Sequence, residues 1–242
     1  MIILFTDFGA NDLYVGQIKA VLHRAAPTVP VIDLLHEVPA FDIRAGAHLL
    51  AALSAQFETG SVFLAVVDPG VGGTRQGVVL EADGKWFVGP DNGLLSVVQQ
   101  RALASECWHI RWQPEFLSAS FHGRDLFAPI VALIAMGDFP HDKLVAGHLD
   151  EILRHEDLPE VIYLDHYGNA VTGLRAAQVS QGVILNVGGQ PVRYARTFGE
   201  VLEGELFWYQ NSIGLVEIAV NRGSAEKQLD LRIGQSVEIR YG

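Results

Sequence analysis

Three apolar runs, at 2–5, 29–35 and 61–67, restrict the fold more than any other feature of this chain. Each is too short for a membrane span and is rich in the residues that fill buried strands. Between them apolar positions recur at helical spacing: Leu13, Val15, Ile18, Val21 and Leu22 after the first run, then Ala45, Leu49, Ala52 and Leu53 after the second. Asp12 falls at the N-cap of the first helix and Asp42 opens the second, which runs to about 55. Strands alternating with helices of this length predict a mostly parallel sheet with helices on both faces.

Shorter strands at 78–81, 86–88 and 107–110, a helix from near Leu94, and another launched by Phe121-His122-Gly123-Arg124-Asp125 continue the pattern to about 135. From 137 to 157 polar and turn residues dominate, and the segment reads as a connection with little structure of its own. Beyond 158 the apolar pieces shorten, at 161–164, 183–185, 207–209, 215–220 and 237–239. Gly188-Gly189, Asn211-Ser212 and Gly234 separate them, as in a small antiparallel barrel or sandwich. The expected fold class is therefore α/β, with an N-terminal domain at 1–150 and a small antiparallel barrel or sandwich domain at 158–242.

A net charge of −11 opposes binding to nucleic acid or an anionic membrane and tolerates a cationic ligand. The single cysteine, Cys107, excludes an internal disulfide framework and a Cys-based zinc site; beside Trp108 it reads as a buried structural thiol. The run at 2–5 has no basic flank and is interrupted by Asp7, so it reads as a strand and not a signal peptide, and a cytoplasmic protein is expected.

The third run leads into Val67-Asp68-Pro69-Gly70-Val71-Gly72-Gly73-Thr74-Arg75. Three glycines let a backbone take positive φ and approach a ligand, and the crevice beyond a strand's carboxyl end is where open α/β sheets bind. The structural alternative is a Gly-rich turn closed by an Asp68–Arg75 salt bridge. Asp7 and Asp12 lie on the loop after the first strand; Asp7 can accept vicinal ribose hydroxyls or bind a cation, while a turn and a helix cap are the plainer roles. Asp165-His166-Tyr167-Gly168-Asn169 is either a ligand loop or a hairpin turn, and Trp208 to Gly214 joins aromatic surface to a polar turn. No spacing among His36, His122 and His166 specifies a metal, and no HExxH, Walker A, GxGxxG or GxSxG sequence occurs.

Taken in order, Thr6-Asp7-Phe8-Gly9, Val67-Asp68-Pro69-Gly70-Val71-Gly72 with Arg75, Gly89-Pro90-Asp91-Asn92-Gly93, and Phe121-His122-Gly123-Arg124-Asp125 with Phe127-Ala128-Pro129 form a series. Asp165 with Gly168-Asn169, and Asn211-Ser212 with Gly214, complete it. The series resembles the S-adenosyl-L-methionine hydroxide adenosyltransferases, relatives of fluorinase and chlorinase, over nearly the whole chain.

The resemblance implies an N-terminal α/β domain, a C-terminal antiparallel β-barrel domain, and a homotrimer binding S-adenosylmethionine between the N-domain of one subunit and the C-domain of a neighbour. Water is the second substrate, adenosine and methionine are the products, and neither metal nor cofactor is required. It implies a catalytic trio of Asp68, Arg75 and His122; the halogenating relatives lack an aspartate at the position matching Asp68. Asp7 becomes the ribose ligand, while Asp12, Asp165 and Ser212 surround the methionine moiety. Asn169 and the backbone from Val220 to Arg222 meet adenine, and Phe41 matches a pocket aromatic. Ile213 stands where some members carry a carboxylate-binding arginine. Halide-dependent adenosyl transfer, a non-catalytic adenosyl-ligand sensor and a metal-dependent phosphoesterase are the competing readings.

Overall fold

The structure is a computed structural model, and residues 1–240 are described. The chain divides into two compact units, one comprising Met1–Ala51 with Phe57–His155, the other Ala52–Gln56 and the chain from Glu156 onward.

In the N-terminal unit, β1 (Ile2–Thr6), β2 (Val31–Leu35), β3 (Val62–Val66), β4 (Gly77–Ala82), β5 (Lys85–Pro90), β6 (Ser105–Ile110) and β7 (Leu144–Gly147) form one sheet of order β2-β1-β3-β5-β4-β6-β7. β1, β2, β3 and β5 pair in parallel, whereas β4 runs against β5 and β6, and β7 runs against β6. The sheet is thus mostly parallel in strand direction, with β4 and β7 reversed. β4 and β5 are a hairpin turned at Asp83 and Gly84, both at positive φ, which is why one strand of the parallel set points backward.

β7 corrects the reading of 137–157 as a connection with little structure. Only four residues long and largely exposed, it lacks the apolar density that marks a buried strand, and β6 supplies its hydrogen bonds.

α1 (Leu13–Ala25) and α4 (Ala128–Ala135) pack on one face of this sheet, where Ile18, Leu22, Ile130 and Val131 meet Ile2, Leu4, Leu64, Val66 and Val88. Residues of opposite parity, Ile3, Phe5, Phe63 and Phe87, are equally buried, and the Phe63 and Phe87 rings stack 4.7 Å apart. Both faces of the central strands are therefore covered, each fully buried Leu or Phe contributing roughly 1.5–3 kcal/mol relative to exposure. α2 (Ile43–Ser54) begins as expected at Asp42, whose Oδ1 accepts the Ala45 N–H at 2.9 Å. Leu13, expected on the buried face of α1, is instead exposed at the helix start. α3 (Ser96–Arg101) is short.

The second unit is a sheet of β8 (Leu158–Leu164), β9 (Ala170–Arg175), β10 (Ile184–Val187), β11 (Gln190–Tyr194), β12 (Leu206–Gln210), β13 (Leu215–Val220) and β14 (Val237–Arg240), ordered β14-β10-β11-β12-β13-β9-β8. All neighbours are antiparallel except β11 and β12. The two edges come together through a Glu160–Ser236 bridge and a hydrogen bond from Val161 N–H to the Gln235 carbonyl (2.9 Å), nearly closing a barrel. Its core holds Val161, Leu185, Trp208, Val216 and Ile218. Trp208, read from sequence as part of an exposed aromatic turn, is buried there and donates its indole N–H to the Val183 carbonyl at 3.2 Å. Helix α5 (Ala225–Leu229), capped by Ser224, follows β13.

Candidate active site

β1 and β3 lie side by side and deliver Asp7 and Asp68 to the same edge of the sheet, each just beyond the strand's carboxyl end. The loop after Asp68 needs only one of its three clustered glycines for backbone freedom. Gly72 has φ +79°, and an added Cβ would lie 2.3 Å from the Ala119 carbonyl oxygen; Gly70 and Gly73 keep ordinary negative φ. Gly72→Ala should therefore cost at least about 1–2 kcal/mol from the left-handed backbone alone. A lowered unfolding temperature with disturbed ligand binding is the expected result.

The fold of that loop returns Arg75 onto Asp68. Arg75 Nε donates to Asp68 Oδ1 at 3.0 Å and Nη2 donates to Oδ2, a bidentate pair with both side chains largely buried. The same Nη2 reaches His122 Nδ1 at 3.2 Å, and the guanidinium lies 5.4 Å from the centre of the Phe127 ring. The salt-bridged turn and the expected trio are thus one arrangement. His122 precedes a π-helical turn, Gly123–Phe127, that passes directly into α4. Such turns recur at functional sites. Because a guanidinium has no lone pair, His122 Nδ1 must accept, which places the neutral ring's proton on Nε2. Burial, reinforced by the charge of Arg75, holds this imidazole below its ordinary 6.5.

A cavity of about 350 Å³ is lined by the carboxylates of Asp7, Asp12 and Asp68, by His122, and by Phe8, Tyr14, Phe41 and Phe121. Phe8, Tyr14 and Phe121 contact one another pairwise at centroid separations of 5.4–5.8 Å. This aromatic wall was not singled out from sequence, although Phe8 and Phe121 sit inside the motifs. Burial pushes the Asp7 carboxyl above its ordinary value against the hydrogen bond it accepts from Phe41 N–H at 3.1 Å. That bond holds Phe41 at φ +65°, a backbone region a phenylalanine rarely adopts, with the ring exposed. Asp12 does cap α1, accepting the Leu13 N–H at 2.6 Å, and its side chain lines the cavity as well.

In the C-terminal unit, Asp165, Asn169, Ser212, Val220 and Arg222 all border a second, open cavity of about 970 Å³. Asp165 also organises the β8–β9 hairpin. It accepts the N–H groups of Tyr167 (2.9 Å) and Asn169 (2.8 Å) and the Asn169 side-chain amide (2.9 Å), while Gly168 takes φ +81°. Arg222 is exposed, at φ +55°, and pairs with Glu203 at 3.1 Å. Sequence reasoning missed Glu217, which is 6% exposed, accepts from Tyr209 Oη and from Asn211 Nδ2 (2.9 Å), and borders the same cavity. The signal was present as the lone charge within the apolar strand at 215–220. Its carboxylate is one reason the Tyr209 phenol is pushed upward, burial being the larger.

An acid-rich, aromatic-walled cavity beyond the carboxyl ends of adjacent parallel strands defines a small-molecule-binding α/β protein, here carrying an added β-barrel unit. The chain belongs to the SAM hydroxide adenosyltransferase family: the family's N-terminal domain matches residues 2–144 and its C-terminal domain residues 159–238. A Thermus thermophilus protein named (R)-S-adenosyl-L-methionine hydrolase is 41% identical, the match covering 97% of each chain. A Methanocaldococcus jannaschii protein of the same name is 30% identical over 100% of this chain and 96% of its own. A Nocardia brasiliensis fluorinase is 26% identical over 100% and 97%. Among solved structures, an uncharacterized conserved protein from Thermotoga maritima superposes with a TM-score of 0.90 at 35% identity, covering 100% of both chains.

Proposed function

We propose that this chain hydrolyses S-adenosyl-L-methionine, in the (R) sulfonium form, to adenosine and L-methionine by in-line attack of water on C5′. The observation that carries the reading is the Asp68–Arg75–His122 trio, joined through one guanidinium although His122 is 47 residues from Arg75.

The sulfonium is already a good leaving group, so methionine needs no general acid and the reaction needs no metal or cofactor. The limiting partner is water, a weak nucleophile that must be held opposite sulfur. As the O–C5′ bond forms, the C5′–S bond breaks and its electron pair neutralises sulfur. The attacking oxygen becomes strongly acidic at that point, so a carboxylate suffices to take its proton. With Arg75 on His122 Nδ1, Asp68 is the acceptor for that proton and His122 Nε2–H orients the water oxygen. Arg75 fixes Asp68 and offsets its charge, which limits stabilisation of the cationic ground state. Alignment in a cavity with aromatic walls supplies much of the rest.

Asp7 takes the ribose hydroxyls, and Asp12 and Phe41 border the same ligand. From the C-terminal unit of another copy, Asp165 and Ser212 face the methionine moiety and Asn169 with the backbone at Val220 and Arg222 faces adenine, in a homotrimer. The two cavities, one in each unit and each open by itself, support this division. We place the protein in the cytoplasm, in keeping with its free, buried Cys107. No helix among the described residues is long and apolar enough to cross a membrane.

The test incubates the protein with S-adenosylmethionine in ¹⁸O-water, with and without chloride. Label at the adenosine 5′-oxygen is expected; 5′-chloro-5′-deoxyadenosine, or unchanged substrate despite binding, would overturn the reading. The pH profile gives a second check. Because His122 titrates below 6.5, turnover should stay level as pH falls through 6.5 and decline only beyond it. The same depression means that the unfolded chain binds this proton first. Its contribution to stability is complete above 6.5 and is lost as pH falls toward the folded value.

A further inference from the structure

We propose that Asp91, His109 and Asp150 form a divalent-cation site in the N-terminal unit that ties the chain after β7 to the sheet. Asp91 follows β5, His109 lies on β6, and Asp150 comes shortly after β7. A ligand atom from each lies within 4.8 Å of the other two. Asp91 and His109 are 4% and 7% exposed, while Asp150 reaches solvent.

The histidine supplies the independent observation. His109 Nε2 lies 2.8 Å from the His148 carbonyl oxygen, which can only accept, so the ring proton is on Nε2 and Nδ1 carries a lone pair. His109 Nδ1 is buried and has no hydrogen-bond partner. An orphaned buried acceptor costs about 1–3 kcal/mol. An imidazole whose second nitrogen donates to a carbonyl is the usual orientation of a metal-bound histidine.

The carboxylates point the same way. Asp91 accepts the Asp150 N–H at 3.0 Å and retains further lone pairs. One cation would satisfy the orphan nitrogen and relieve both carboxylates. Asp91 and Asp150 line a cavity of about 510 Å³ open to solvent, which Asp68 and Arg75 also border and which gives an ion its way in. His148, whose Nε2 stands 3.6 Å from Asp150 Oδ1, is within reach as a fourth ligand. One imidazole with two carboxylates suits Zn²⁺ or Mn²⁺ better than Mg²⁺.

The experiment titrates Zn²⁺ calorimetrically into the full-length protein after EDTA treatment and desalting, with Co²⁺ absorption spectra as a second readout. One ion per chain is expected. His109→Gln and, as an exposed substitution that leaves the core intact, Asp150→Asn should each weaken binding by roughly tenfold or more, the scale already seen when a group supporting a metal ligand is lost. Absence of heat and of a Co²⁺ spectrum with the wild type, or affinity unchanged in both variants, would overturn the proposal. Binding is read without substrate, so either outcome leaves the hydrolase reading to its own test.

Discussion

Asp68→Ala is expected to lower turnover by about 10²–10⁴-fold, the range associated with losing one positioned proton acceptor, while the affinity for S-adenosylmethionine changes little. The carboxylate is largely buried and bound at both oxygens by Arg75, so its removal leaves a guanidinium without its counter-ion beside His122 and Phe127. Part of any activity loss could therefore come from a displaced arginine. Asp68→Asn separates the two effects: the amide keeps the shape and one acceptor for Arg75 but cannot take a proton. Single-turnover rates and equilibrium binding on both variants supply the measurement. If both variants lose affinity before they lose rate, Asp68 is a binding residue and the assignment is wrong.

The second large effect falls on binding. Asp7→Ala should weaken S-adenosylmethionine affinity by roughly 10–100-fold, since a hydrogen bond to a charged group is worth about 1.5–3 kcal/mol and each 1.4 kcal/mol is about tenfold. Asp7 has a second task in the free protein, holding the Phe41 N–H and with it the left-handed backbone at that residue. Asp7→Asn retains an acceptor for that N–H while losing the charge, so it should recover the order of the Phe41 segment but only part of the affinity. Binding isotherms for the pair of variants, compared with the rate of bound substrate, check this. An Asp7 variant that binds normally and turns over slowly would exchange the roles of Asp7 and Asp68.

Much of the fold was legible because its signals are local. Uninterrupted apolar runs mark β1 and β3, helical periodicity marks α1 and α2, and Asp12 and Asp42 cap those helices as their positions imply. β7, β9 and β11 were not read: β7 and β11 are short and mostly exposed, and β9 carries Thr172, Gly173 and Arg175 among its apolar residues. The trio was legible as motifs, but its joining required the loop from 68 to 75 to fold back and α4 to bring His122 alongside. Glu217 was legible as a lone charge and His109 was not, but a polar side chain inside an apolar strand reveals its partners only when neighbouring strands are in place.

The order of strands and helices, the two kinds of architecture and the motif series were determined by the sequence itself, since periodicity, capping and turn chemistry act between residues close along the chain. Which carboxylates share a cavity, which nitrogen of His122 carries the proton and which buried nitrogen is left without a partner were decided only by the tertiary structure. Those properties depend on distances between residues tens of positions apart and on the burial that strengthens the interactions among them while disfavouring their charged forms.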